Sequence, residues 1–303
     1  MPVNEILNNG ATSLAAANWL TFAGAAGSGL VNNATLWIQQ GTQTVTAGLS
    51  PSLSLGLTSL DITPGFSGTI GGATGSLAAE TDGTVFSQIT QLPRVRYEAS
   101  GGALYYTPQG AGGASDTCHY FQVNGGGSAY LTGTGTVRRL ELTAGRVYVS
   151  QNVGSVANYR WVFSGGSATI DVNTTTDLHA ITVLGGQHVI KRGIAGTTIT
   201  AGSRTEGLVM AGGAVTLDAG SNVFADIRLM GGTLTVLNAG NPDASTAGIT
   251  NIIATGGTLD LSKLQRPMTV TLMEDGPGCT IITSKYLTIT TRNPIGRGSD
   301  GLN

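Results

Sequence analysis

The chain has 303 residues, of which 47 are Gly and only 11% are charged. Disorder is excluded because disordered chains are charge-rich and poor in apolar residues; collagen is excluded because only 9 residues are Pro and Gly does not recur at every third position. The 15 Lys plus Arg nearly cancel the 17 Asp plus Glu, so no broad field draws the chain to nucleic acid or an acidic membrane, and neither is expected as a partner.

The opening stretch "MPVNEILNNGATSLAAANWL" has no positive region leading into an apolar core, which predicts a chain without a secretory signal. No run of 18 apolar residues occurs, so no membrane-spanning segment is expected. Residues 1–30, with Trp19 and Phe22, read as an N-terminal cap or anchoring segment, because a stack of strands must end and a bare edge invites pairing with another chain. The stretch from Met1 to Ala79 carries only two charged residues, Glu5 and Asp61, a sparseness that fits a surface covered by partners. Next, "ATLWIQQGTQTVTAG" and "LGLTSLDITPGFSGTIGG" have strand composition with Gly or Pro punctuation and read as irregular first coils.

Regular spacing begins further on. With the second Gly of a pair as position zero, "YEASGGALYY" centres on Gly102 and places Tyr97, Ala99, Leu104 and Tyr106 inside. "FQVNGGGSAYL" is another coil, whose triple Gly leaves its register open near Gly126. Six segments then superimpose: "RRLELTAGRVYVS", "RWVFSGGSATIDV", "AITVLGGQHVIKR", "GLVMAGGAVTLDA", "DIRLMGGTLTVLN" and "NIIATGGTLDLSK". Their turn positions are Gly145, Gly166, Gly186, Gly213, Gly232 and Gly257, at spacings of 21, 20, 27, 19 and 25 residues.

Five places before zero stand Leu140, Trp161, Ile181, Leu208, Ile227 and Ile252; three before stand Leu142, Phe163, Val183, Met210, Leu229 and Ala254. Two places after stand Val147, Ala168, His188, Val215, Leu234 and Leu259; four after stand Val149, Ile170, Ile190, Leu217, Val236 and Leu261. The period within each half is two, the strand period, and the repeat length is that of β-solenoids. The expected fold is therefore all-β: a parallel β-helix, or β-solenoid, with Gly-rich turns and coils of about 19–27 residues spanning residues 31–262. Residues 263–303 read as C-terminal capping strands followed by a flexible tail.

Little catalytic chemistry is visible. His188 is the one ionisable residue in the interior columns and reads as a hydrogen-bonded core histidine. Cys118-His119 lacks companions at metal-ligand spacing, and Cys118 and Cys279 are too far apart in sequence to define a disulfide framework. The Gly-Gly-x-Gly-x-Asp nonapeptide of calcium-binding rolls is missing. Five places after zero, Asp171, Lys191 and Asp218 follow one another, a charge ladder rather than the isolated carboxyl pair of a glycoside hydrolase. Asp226 and Glu206 lie in different columns. No enzyme activity, metal or cofactor is expected. Four places before zero, the outward residues Glu141, Val162, Thr182, Val209, Arg228 and Ile253 form a partly apolar stripe where polar residues are usual. Val162, Val209, Arg228 and Ile253, with Trp19 and Phe22, make up the candidate interaction surface.

"SLAAANWL" followed by "ATLWIQQGTQTVTAGLSPSLSLGLTSLDITPGFSGTIGG", roughly residues 13–72, resembles β-solenoid virion structural proteins of tailed bacteriophages. The resemblance implies a non-enzymatic, usually trimeric component of the virion surface, assembled in the host cytoplasm, of the head decoration (cement) or fibre type. It implies as partners further copies of the chain, the major capsid protein or other virion proteins. A receptor-binding or polysaccharide-cleaving tail spike and a cellular β-solenoid adhesin are the alternatives.

Overall fold

Alternation of β-branched or aromatic residues with polar ones places one set of side chains on a single face of a pleated strand. Residues 3–12, 16–27, 34–45, 59–71, 94–106, 117–118, 120–131, 136–137, 139–150, 160–172, 181–192, 207–218, 223–238 and 247–295 are described by the computed structural model. Among them the only helix is one turn of 3-10 helix at Ala16–Asn18. Stacked parallel strands make the fold a β-solenoid, and the chain divides into two compact units, Met1–Tyr159 and Arg160–Asn303.

In the first unit, β1 (Val3–Leu7) pairs antiparallel with β2 (Trp19–Thr21) and parallel with β3 (Ala34–Ile38). Thus β1 is a rung of the ladder and β2 lies along its other edge. The rungs continue as β4 (Thr44–Val45), β5 (Ser59–Ile62), β6 (Thr69–Ile70), β7 (Arg94–Tyr97) and β8 (Ala103–Tyr106). A short β9 (Thr117–Cys118) precedes β10 (Tyr120–Leu131), and β11 (Thr136–Val137) precedes β12 (Arg139–Ser150). β9 and β11 form a separate parallel pair. Leu36, Leu60, Val95, Phe121 and Leu140 stand in register as one interior ladder; Ile38, Ile62, Tyr97, Val123 and Leu142 form a second. All ten are buried.

Tyr97 and Ala99 do point inward as the spacing predicts, but Tyr97 stands opposite Leu142 rather than Leu140. The reason is a longer corner. Gly102 stands five places after Tyr97 whereas Gly145 stands three after Leu142, and the Tyr97 hydroxyl donates across its own bend to the Gly101 carbonyl at 3.2 Å. The triple Gly of β10 absorbs the difference through register shifts between Val123 and Ser128. Ser128 faces Ala103, which makes Gly127 the counterpart of Gly102.

The second unit is more regular. It consists of β13 (Arg160–Phe163), β14 (Ser167–Val172), β15 (Ile181–Val183), β16 (Gln187–Arg192), β17 (Leu208–Met210) and β18 (Ala214–Asp218). β19 (Val223–Leu229), β20 (Thr233–Leu237), β21 (Ala247–Asp260), β22 (Met268–Ile282) and β23 (Leu287–Pro294) follow. Parallel registers reproduce the sequence columns: Trp161, Ile181, Leu208, Ile227 and Ile252 in one ladder, and Ala168, His188, Val215, Leu234 and Leu259 in another. Every residue of the four interior columns is at most 5% exposed. At ~1.5–3 kcal/mol per buried large aliphatic side chain, these ladders outweigh the few surface ion pairs as the source of stability.

The Gly-Gly pair has two separate causes. Gly102 and the six turn positions all have φ between 65° and 84°, which side chains resist. At Gly232 a Cβ would also stand 2.4 Å from the Gly213 carbonyl oxygen, and at Gly231, one place earlier, 2.5 Å from that of Ala211. Rungs stack too closely there for any side chain. The parallel ladder continues past residue 262, since β22 pairs with β21 and β23 with β22. Asn238, buried, fastens the connection between them: its carbonyl oxygen accepts from the Gln265 and Arg266 amides, and its amide donates to the Arg266 carbonyl at 2.8 Å. Most of the proposed tail, residues 296–303, lies outside the described residues.

Candidate functional site: the outward ladders

In a solenoid the outward side chains of neighbouring rungs repeat at roughly 4.8 Å, so each outward column becomes a surface stripe. In the second unit Val162, Thr182, Val209, Arg228 and Ile253 stand in unbroken register on β13, β15, β17, β19 and β21. Four are half-buried and Arg228 is exposed. Next to this stripe, two residues before each turn glycine, runs an exposed corner ridge of Ser164, Leu184, Ala211, Met230 and Thr255. Leu184 is 50% and Met230 53% exposed, among the most exposed large apolar side chains described. Together the stripe and ridge make one lateral face with a single large apolar side chain on each rung, Val162, Leu184, Val209, Met230 and Ile253, set among Ser, Thr, Ala and the exposed Arg228. The ridge escaped the sequence reading because corner positions were read only for their glycines.

Of the other two candidate residues, Phe22 is 56% exposed, but Trp19 is 1% exposed and belongs to the core. That corrects its assignment to a surface: as the first residue of β2 its large apolar ring is buried at the N-terminal rungs and is not offered to a partner.

The first unit carries aromatic and charged ladders instead. Tyr105, Tyr130 and Tyr148 stack in succession, with ring centroids 4.6 and 4.8 Å apart and planes within 7°. Both faces of the Tyr130 ring are covered by its two neighbours, and all three tyrosines are half-buried. On the other strand of the coil, Ser59, Arg94 and Tyr120 are in register, and the guanidiniums of Arg94 and Arg139 lie over the Tyr120 ring at 5.9 and 5.4 Å. The Tyr120 hydroxyl donates to Glu141, which Arg139 also grips. Burial works against the Glu141 carboxylate, yet these hydrogen bonds and the Arg139 charge more than offset it and leave its pKa below the usual value. Burial and the same hydrogen bond push Tyr120 up to about 12.

His188 is a core residue whose hydrogen bonds are satisfied. Its Nδ1 accepts from the Ala168 amide at 3.1 Å and its Nε2–H donates to the Gly185 carbonyl at 2.7 Å, with the ring tilted against Phe163. Burial lowers its pKa, the Gly185 hydrogen bond opposes, and the imidazole stays neutral. Asp171, Lys191 and Asp218 are consecutive in backbone register, as the spacing predicts. Asp226 accepts a hydrogen bond from Asn251 at 2.6 Å; Glu206 and His119 lie outside the described residues. Both cysteines are free thiols, and burial pushes the Cys118 thiol up to about 12, far from a nucleophile's range. Among the described residues no group of three or more His, Cys, Asp or Glu could hold a metal ion, and no helix is long and apolar enough to cross a membrane.

Comparison with protein-family models, with curated proteins and with solved structures finds no match.

Proposed function

We propose that the chain is a non-enzymatic structural protein of a phage virion surface, of the decoration or cement type, which associates with copies of itself as a homotrimer and with the major capsid protein. The single observation that carries this reading is the lateral face of the second unit, where Val162, Val209 and Ile253 line up beside the exposed Leu184 and Met230. A large apolar side chain turned outward on every rung in succession is the pattern of an interaction surface. The likeness of residues 13–72 to tailed-phage β-solenoid proteins gives the setting, and a fold whose backbone hydrogen bonds run in long ladders suits a component that must resist unfolding. A bridging protein of this kind stabilises a shell by adding interfaces that exist only after assembly.

The test is re-addition of the purified chain to phage particles that lack it, followed by cosedimentation. Wild type is expected to bind, and Val209→Asp to bind at least about tenfold more weakly with an unchanged circular dichroism melt, since a carboxylate would be desolvated in the interface. Equal binding by both would remove the lateral face from the mechanism; no binding by wild type would contradict the virion role.

A further inference from the structure

The outward tyrosine ladder of the first unit brings together three segments that are distant in sequence. Tyr105, Tyr130 and Tyr148 stand on successive rungs, in backbone register across β8, β10 and β12. Neighbouring ring centroids are 4.6 and 4.8 Å apart, one rung spacing, and both pairs of planes lie within 7° of parallel. Near-parallel rings on registered strands hold like carbons at about that separation, so the Cε carbon beside one phenolic oxygen is matched by that of the next ring. All three side chains are half-buried, and each keeps part of its surface in solvent. The other described tyrosines are placed differently. The Tyr97 hydroxyl donates to the Gly101 carbonyl, and Tyr106 is 2% exposed and packs against Phe121. Tyr120 has the guanidiniums of Arg94 and Arg139 over its ring, and Tyr286 has the Lys285 ammonium.

A phenol that loses one electron and one proton to an oxidant becomes a phenoxyl radical, whose unpaired electron is shared with the carbons ortho to the oxygen. Two such radicals on adjacent rungs join through a Cε–Cε bond, the rings tilting about their side-chain torsions to close the gap while the strands stay in place. Each bonded carbon then passes its hydrogen to its own oxygen, and both rings regain aromaticity. Two tyrosines thus give one dityrosine, two protons and two electrons; hydrogen peroxide, acting through a haem peroxidase, takes up all four and leaves as two waters. We propose that the ladder is a site of oxidative cross-linking, at which Tyr130 bonds to Tyr105 or to Tyr148. Tyr105 and Tyr148 themselves stand two rungs apart, roughly 9.5 Å, too far to join each other. The new bond ties neighbouring rungs together covalently and restricts the unfolded chain as a disulfide does.

The experiment exposes the dilute full-length protein to a haem peroxidase and hydrogen peroxide and follows dityrosine fluorescence. Digestion and mass spectrometry then identify joined peptides, each pair lighter by two hydrogen atoms than its parts. Wild type is expected to yield Tyr105–Tyr130 and Tyr130–Tyr148 links within one chain. Tyr130→Phe keeps the stacked ring and should keep the thermal melt, but both links should fall to background. Tyr105→Phe and Tyr148→Phe should each retain the one link that remains possible. The peptide assignments in wild type stand whether or not a variant folds. Intramolecular dityrosine undiminished in Tyr130→Phe, links formed only between chains, or wild type without dityrosine would overturn the proposal.

Discussion

A single imidazole shows how one residue can depart from its column and still be accommodated. Where Val215 and Leu234 fill the same ladder with carbon, His188 fills it with a ring that bonds the Ala168 amide and the Gly185 carbonyl. Its folded-state pKa lies below the usual value of about 6.5, so between those two values the unfolded chain binds more protons than the folded one. The stability His188 contributes is therefore present above about pH 6.5 and is lost as pH falls toward the folded-state value. In His188→Val the overall stability should fall by about 1–3 kcal/mol, because an amide and a carbonyl lose their partner, but the decline below pH 6.5 should be shallower than in wild type. Urea unfolding of both proteins across a pH series checks this; parallel curves would mean that His188 is not the group that titrates.

At the scale of the coil, the corner sets what can be substituted. Gly232 needs both a positive φ and the space that the Gly213 carbonyl occupies, so Gly232→Ala should cost more than the ~1–2 kcal/mol of a left-handed residue alone. A melting temperature within a degree or two of wild type would show that the corner yields. The same corner explains which parts of the fold were legible in the sequence. In the second unit the turn glycine stays at a fixed offset from the inward residues, so Trp161 to Ile252 and Ala168 to Leu259 could be aligned by counting. In the first unit corner length varies, and counting from Gly102 put Tyr97 one ladder position away from its place. The tyrosine stack was hidden for a related reason: Tyr105 and Tyr148 both stand three places after their turn glycines, but Tyr130 between them lies in the triple-Gly coil whose register was open. The burial of Asp61, 6% exposed on the outward side of β5, was out of reach altogether. Strand periodicity assigns a side chain to the outside, but the burial of Asp61 depends on side chains from rungs more than twenty residues apart.

For the whole molecule, the outer surfaces of the two units differ in kind. The first carries paired charges and aromatic stacks; the second carries a partly apolar stripe and ridge. Interior ladders supply most of the burial that holds each unit, so the outward columns are under less constraint from the fold. Cryo-electron microscopy of purified phage particles, with mass spectrometry confirming the chain in the same sample, tests the proposed virion role most directly. The account predicts density for the chain at capsid lattice positions, with Val162, Val209 and Ile253 turned into the contact with neighbouring subunits; absence of the chain from the particles, or density that leaves this face to the solvent, would contradict it.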